Sequence, residues 1–473
     1  MTRHLAPFLL ALAVSAHFAT AQEPALPAGL GGGDEADAES GGPPLPTGLG
    51  GGDVAPSTNE DVPEAGAMGL SLPFPVHGFF DVRAGDRLQD DPNHDGMTLA
   101  EARLQLAVDP RIGPASFRLV ADFLYDDVQP DMAFVDWTRG HGWLDLREAN
   151  VMFSPLPWMD VKAGRQILTW GTGDQLFIND NFPKDWRSFF AGRHVEYLKA
   201  PSDALKASLF FPAVNLDIVY TPQFDPDRFI DGTRNSYHAG GGVKAGEDNP
   251  LVADIPDDGF EHDELAARLY RNLAGVEAAL YGYWGYWKSP GGRQGGEAIF
   301  PELHVYGASV RGVFAGGIAN VEIGLLDSRG DRDGTDPTIN NSEWRALLGY
   351  ERDLRAIASD FTIGLQYYLE LMADYGEYKT ALPAGQPARD EDRHVLALRL
   401  TKLMFQQNLT LSFFTYYSPS DEDAFLRPRA SYEISDAWEA TVGANVFLGE
   451  ENHTFFGQFE DNTNIYAAIR YSF

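Results

Sequence analysis

The densest run of chemically capable side chains lies between residues 164 and 203. It opens Gly164-Arg165-Gln166-Ile167-Leu168-Thr169-Trp170-Gly171 and continues through Asp174, Asn179, Asp180, Lys184, Asp185, Trp186, Arg187, Phe189, Phe190 and Arg193. Rings interleaved with acids and bases on one long connection suit a segment that is anchored by its aromatics and presents charge to a polar ligand. An exposed outer loop is the alternative.

Other clusters say less. Asp91-Pro92-Asn93-His94-Asp95-Gly96 matches the opening of a calcium loop, where oxygen ligands alternate and Gly makes the sharp turn. Asp91, Asn93 and Asp95 would be the ligands. The closing bidentate acid should fall at 102, which is Ala102, and Glu101 is one residue short. A hairpin loop built from turn formers is the expectation. Asp327, Asp331, Asp333 and Asp336 are expected to form a solvated acidic loop. His262-Asp263-Glu264 hints at hydrolysis but lacks a visible nucleophile. There is no Gly-x-Ser-x-Gly elbow, no His-Glu-x-x-His and no phosphate loop. No catalytic residue, resident metal or cofactor is therefore expected, and a barrel hydrolase is the third-ranked reading.

The elements that would position these groups are strands. From Val76 onward, segments of about ten residues alternate apolar and polar types. Ala102, Leu104, Leu106 and Val108 oppose Glu101, Arg103 and Gln105. Phe117, Leu119, Ala121, Phe123 and Tyr125 oppose Arg118, Val120 and Asp122. Phe361, Ile363, Leu365, Tyr367 and Leu369 oppose Thr362, Gly364, Gln366 and Glu370. Short turns (109–114, 154–158, 212–214, 435–436) alternate with long acidic or Gly-rich loops, as in 86–97, 126–142, 169–203, 223–262 and 371–392. The count is about eighteen strands, with sixteen as the other even solution, and both termini fall on the short-turn side. Tyr281, Tyr283, Trp284, Tyr286 and Trp287, and again Phe413, Phe414, Tyr416 and Tyr417, are expected to form interfacial girdles.

The last ten residues, Asn464-Ile465-Tyr466-Ala467-Ala468-Ile469-Arg470-Tyr471-Ser472-Phe473, alternate to the carboxyl end. A strand that ends on a terminal aromatic resembles the closing strand of Gram-negative outer-membrane β-barrels. A strand running into Gly164-Arg165-Gln166 and a long polar-aromatic loop is similar to porin-like barrels of poorly characterised families. The resemblance implies an all-β fold: a transmembrane, antiparallel, up-and-down barrel over 76–473. It also implies that Tyr471 and Phe473 serve as an assembly signal for the barrel-assembly machinery, with outer-membrane lipid as surroundings. The 169–203 segment would then fold into the pore, with Arg165, Asp174, Asp180, Lys184, Asp185, Arg187 and Arg193 at a constriction. A barrel of this size leaves an aqueous lumen. The inward phase would line it with Arg83, Arg103, Arg118, Arg147, Lys162, Arg345, Arg399 and Arg470, with Glu101, Glu370 and Glu439, because the bilayer keeps charge off the lipid face. The implied activity is passive or partner-assisted passage of solutes. The alternative is a docking component of a periplasm-spanning transport system.

The remaining signals concern targeting. Arg3 and His4, an apolar run from Leu5 to Val14 and Ala19-Thr20-Ala21 read as a signal peptide over 1–21, too short an apolar stretch to span hydrocarbon. Residues 22–75 lack Lys and Arg and cannot bury a core, so a disordered periplasmic tail is expected. It repeats Leu26-Pro27-Ala28-Gly29-Leu30-Gly31-Gly32-Gly33-Asp34 as Leu45-Pro46-Thr47-Gly48-Leu49-Gly50-Gly51-Gly52-Asp53, a duplicated spacer or a pair of docking peptides. The net charge of -33 argues against nucleic acid as a partner. With no cysteine in the chain, disulfide and thiolate chemistry are excluded. The mature polypeptide is expected to need detergent: in plain buffer it should aggregate, and a monodisperse peak in size-exclusion chromatography would refute the lipid-facing reading.

Overall fold

A period-two pattern with one greasy and one polar face is satisfied when lipid covers the first and water or packed polar groups the second. The computed structural model describes residues 74–129, 131–238 and 244–473. Within these, the alternating segments form eighteen strands: β1 (His77–Arg87), β2 (Met97–Val108), β3 (Ala115–Asp126), β4 (Leu144–Leu156), β5 (Met159–Ile167), β6 (Pro201–Phe210), β7 (Asn215–Thr221), β8 (Glu264–Leu273), β9 (Val276–Tyr286), β10 (Glu302–Phe314), β11 (Gly317–Ser328), β12 (Glu343–Asp353), β13 (Phe361–Met372), β14 (Asp392–Met404), β15 (Leu409–Ser418), β16 (Asp423–Ser435), β17 (Trp438–Leu448) and β18 (Asn464–Ser472). The signal peptide and nearly all of the tail expected over 22–75 lie outside the described residues.

Each strand pairs antiparallel with its sequence neighbours, and β1 pairs with β18 in continuous register from Phe79↔Ser472 to Arg87↔Asn464. Phe473 extends that seam. Its N–H donates to the Gly78 carbonyl at 2.9 Å and its own carbonyl accepts from Gly78 N–H at 3.0 Å. The sheet is therefore a closed eighteen-stranded barrel without an edge. Turns on the side of both termini shrink to two residues, as at 274–275 and 315–316, whereas 168–200 and 222–263 on the other side are long.

Side-chain exposure follows the alternation. On β11, Val321 and Ile323 are exposed while Asn320 and Glu322 are buried; on β12 to β14, Leu348, Leu365 and Leu396 face out in the same way. These branched apolar side chains form the lipid band. At the short-turn rim Trp158 stacks on Phe211 and Trp438 leans on Tyr471, in the position of an aromatic girdle.

The two aromatic clusters expected to be girdles are corrected. Tyr281, Tyr283 and Trp287 are buried inside, as are Phe414 and Tyr416, while Trp284 and Tyr417 of the same runs are on the exposed phase. Consecutive residues of a strand point to opposite faces, so a run of rings cannot all reach headgroups. Half of each cluster packs the interior.

Val321 sits mid-strand on the lipid face. Val321→Arg is expected to cost about 2–4 kcal/mol, read as a lower urea midpoint in lipid vesicles, whereas Val321→Leu should leave the midpoint nearly unchanged.

Candidate functional site

The segment 168–200 leaves the end of β5 and enters the lumen instead of projecting away from it. Trp170 packs edge-on against Phe182 at 4.9 Å and near Tyr281 of β9. Across the barrel, the Glu322 carboxylate of β11 accepts hydrogen bonds from Thr172 N–H (2.7 Å), Asn179 N–H (2.8 Å) and the Asn179 side chain (3.0 Å). Ile178 and Asn179 reach the wall at Gly307 and Gly324, which face each other in register. A Cβ on Gly307 would lie 1.8 Å from Asn179 Oδ1, and one on Gly324 would lie 2.6 Å from Ile178. The two glycines make a socket that no other residue type leaves open.

The chain then works round the wall. Asp174 pairs with Arg399 of β14, and its N–H donates to Gln366 of β13. Tyr416 of β15 donates to the Gln175 carbonyl. A short helix, α1 (Trp186–Ala191), is capped by Asp185, whose carboxylate accepts from Ser188 N–H, and it ends at Gly192 in the left-handed region with φ 86°. Phe189 and Phe190 of α1 pack with Phe425, Phe447 and Phe459. Gly192 offers its carbonyl to Arg83 of β1. Arg193 donates to Glu101 of β2 at 2.7 Å, Tyr197 donates to Asp122 of β3 at 2.9 Å, and Arg147 of β4 donates to the Lys199 carbonyl at 2.7 Å. The segment thus touches most of the circumference before β6 begins.

Its fastening is uneven. Towards β6–β11 the contacts are mostly apolar, from Leu168, Trp170 and Phe182 onto Ala266, Tyr283, Leu303 and Leu326, with Glu322 as the polar anchor. Towards β12–β17 they are mostly aromatic, around Phe189 and Phe190, with the Asp174–Arg399 pair beside them. Towards β1–β4 they are ion pairs and hydrogen bonds: Arg103 bridges Glu101 and Asp122 while lying over the Tyr197 ring at 4.2 Å. Charged contacts therefore dominate the β1–β4 sector, and packed side chains dominate the others.

Inside the segment, Asp180 accepts from Lys184 at 3.0 Å, from Lys199 and from Thr169. Burial pushes that carboxyl up, but the two ammonium groups outweigh it and hold it below the usual range. Burial pulls the Lys184 ammonium down to about 8 despite Asp180.

A second layer lies over the first. Asp227 accepts from Lys184 N–H (2.7 Å) and Trp186 Nε1 (3.0 Å), tying the 222–236 strap to the start of α1. Arg228 makes a bidentate pair with Asp145 of β4, both contacts 2.7 Å, and also reaches Asp185. Arg234 pairs with Asp126 at the end of β3. These residues were not singled out in the sequence. Phe224-Asp225-Pro226-Asp227-Arg228-Phe229 carries the same ring-and-charge mixture as 174–193 and could have identified them.

The expected residues divide as follows. Asp174, Asp180, Lys184, Asp185, Arg187 and Arg193 are on the inward segment, but Asp180, Lys184 and Asp185 are buried and hold it together. Arg165 is corrected. It stands in register with Ala149 and with the exposed Asp203, on the outward phase of β5, and donates to Asp203, the Leu146 carbonyl and the Trp137 carbonyl. Gly164 at φ 111° sits just before it. Arg165 ties the rim together outside the pore.

The bases expected to line the pore each stand against an acid: Arg83 on Asp81, Arg103 on Glu101, Arg118 and Lys162 on Glu148, Arg147 on Asp145, Arg345 on Glu370, Arg399 on Asp174, and Arg470 on Asp81 and Glu196. Those still meeting solvent include Arg118 (43%), Glu196 (45%) and Asp174 (29%).

The calcium candidate closes on itself. Asp91 accepts from Asn93 N–H, the Asn93 side chain and His94, and His94 also contacts the Gly232 carbonyl. Among the described residues no group of three ligand-type side chains is placed to hold a metal ion. Asp263 takes the Tyr220 hydroxyl and Glu264 takes Tyr283 and Lys288, so the acids beside His262 serve the wall.

No protein-family model and no curated protein matches the chain. Solved structures do. OccAB4 of Acinetobacter baumannii superposes with a TM-score of 0.51 at 9% identity, over 84% of this chain and 97% of that one. This is the fold of a porin-type outer-membrane barrel. Pseudomonas aeruginosa OccD3 (OpdP) aligns with TM-score 0.46, 10% identity and 84% and 91% coverage. The outer membrane channel DcaP of A. baumannii aligns with TM-score 0.39, 11% identity and 84% and 96% coverage.

Glu322→Ala would take the acceptor from the Thr172 and Asn179 backbone N–H groups, a local cost of about 1–3 kcal/mol. Hydrogen exchange of the Asn179 amide in reconstituted protein should speed up by about tenfold or more, while amides of β1 and β18 keep their protection.

Proposed function

We propose that this barrel is an outer-membrane channel for small polar solutes, narrowed by the 168–200 segment and the 222–236 strap. The observation that carries the reading is the uneven fastening of that segment. Packed rings and aliphatic groups dominate its contacts with β6–β17, interrupted by Glu322 and the Asp174–Arg399 pair, whereas towards β1–β4 its contacts are mostly ion pairs and hydrogen bonds. A solute follows that charged sector past Arg118, Glu148 and Lys162 of the wall, with Arg193, Glu196 and Arg470 beside it. Width and charge select, and no energy source resides in the chain. The mixed signs favour solutes that can exchange hydration for paired contacts with acids and bases.

Passage is passive or assisted by a periplasmic partner bound through residues 22–75, a role motivated by the repeated Leu-Pro-x-Gly-Leu-Gly-Gly-Gly-Asp sequence. Loss of transport on deleting both repeats, with pore conductance intact, would separate that role from a spacer.

Single-channel recording in planar bilayers tests the channel itself. The wild type should show small conductance steps, and deletion of 172–200 should enlarge them. Because the deletion also strips contacts from the wall, Phe190→Ala is the second variant; losing one packed ring costs about 3–5 kcal/mol locally and should produce flickering to larger steps. Folded protein that conducts in none of the three forms would overturn the reading.

A further inference from the structure

The 222–236 strap is fastened near its start by a carboxylate that meets no cation. Asp225 is buried where the strap passes the first residues of β6 and β8. Its Oδ2 accepts from the Ser202 hydroxyl at 2.8 Å and from Asp203 N–H at 2.9 Å. Both donors are neutral. The ammonium beside it, Lys288, directs its N–H groups elsewhere. They reach Glu264 Oε1 and Oε2 at 2.6 and 2.7 Å and the Asp225 carbonyl at 2.9 Å.

The other groups around Asp225 do not neutralise it either. Glu264, which also takes the Tyr283 hydroxyl at 2.5 Å, is a second negative charge facing the first. Asp203 turns its own carboxylate out to Arg165. Asp227 accepts from Lys184 N–H, Trp186 Nε1 and the Ser289 hydroxyl. Elsewhere in the interior, Asp145, Asp185 and Asp180 each meet a guanidinium or an ammonium directly. Here two carboxylates share one lysine, and Asp225 is the one left over. A buried carboxylate beside a like charge disfavours its ionised form. Burial, helped by Glu264 and opposed by Lys288, pushes this carboxyl up to about 6. Its Oδ1 takes no hydrogen bond among the described residues, so a proton there displaces no existing contact.

The strap links this group to the pore. Asp227 N–H donates to the Lys288 carbonyl at 2.7 Å, and Arg228 N–H to the Lys184 carbonyl at 2.8 Å. Arg228 and Asp185 form a bridge at the start of α1. Resting on the channel reading above, we propose that Asp225 is a proton-operated clasp. Protonated, it holds the strap down and the pore narrow; ionised, it favours release of the strap into the water of the lumen. The carboxyl is raised while clasped, so the clasp is firm near the ordinary carboxylate value, about pH 4. It weakens as pH rises to about 6 and changes little above that.

Asp225→Asn, neutral and of the same shape, tests the clasp in protein reconstituted in lipid. Hydrogen exchange of the Asp227 and Arg228 amides is measured for wild type and variant at the same pH, which cancels the intrinsic pH dependence. The two should match at pH 4, and at pH 7 the wild type should exchange about tenfold or more faster. Ser202→Ala removes one donor to the ionised form and should move the wild-type transition to higher pH, which loss of packing alone would not do. Single-channel steps of the wild type should grow or flicker between pH 4 and pH 7, while those of Asp225→Asn stay small. Heat-modifiable gel mobility reports an intact barrel in each case. The proposal falls if the exchange ratio is the same at both pH values, or if the strap loosens while the step size stays constant. Absence of conductance at either pH, with the exchange ratio changing as expected, would sink the channel reading and leave the clasp standing.

Discussion

Every strand in a bilayer needs two hydrogen-bonded neighbours, because hydrocarbon offers its peptide groups no substitute for water. That single constraint dictates the closed ring, the pairing of the first strand with the last, and the sorting of side chains into a greasy exterior and a polar interior. It also creates the problem that the inner segments solve. Eighteen strands enclose more space than side chains from the wall can fill, so the wide interior is occupied by chain from the 168–200 and 222–236 connections.

The inner segments show how a long connection becomes a defined structure without regular elements. The polar turns are fixed by buried acids: Glu322 of the wall for the first bend, Asp227 of the strap for the start of α1, and Glu101 and Asp122 of the wall for the exit. Rings between these points supply the burial. The charges that hold the segment are nearly all matched, so a mixed-charge interior need not carry a strong net field. The side chains that stay wetted are those whose partners lie at the edge of the segment.

The architecture was legible in the sequence because a period of two, alternating loop lengths and even parity are strong and repeated signals. Strand number, the short-turn side and the inward phase of Arg83, Arg103, Arg118 and Arg470 all follow from them. The site was legible only in part. Arg165 reads as inward from its neighbourhood, but the phase at Gly164 puts it outside, and phase is set by backbone pairing that spacing alone does not reveal. The aromatic runs were treated as units although adjacent strand residues face opposite ways. The 222–236 strap was passed over because Asp227 and Arg228 gain their roles from partners such as Lys184 and Asp145, which lie 43 and 83 residues away.

The seam has a consequence for timing. Arg470 meets Asp81 across 389 residues of chain, so the wall stays open until the carboxyl end has been delivered. Until then both margins of the sheet present bare peptide groups, and the growing protein must be shielded from lipid and from other copies of itself. A chain that lacks β18 is therefore not a slightly smaller barrel but a gaping sheet, with β1 and β17 both left as bare edges.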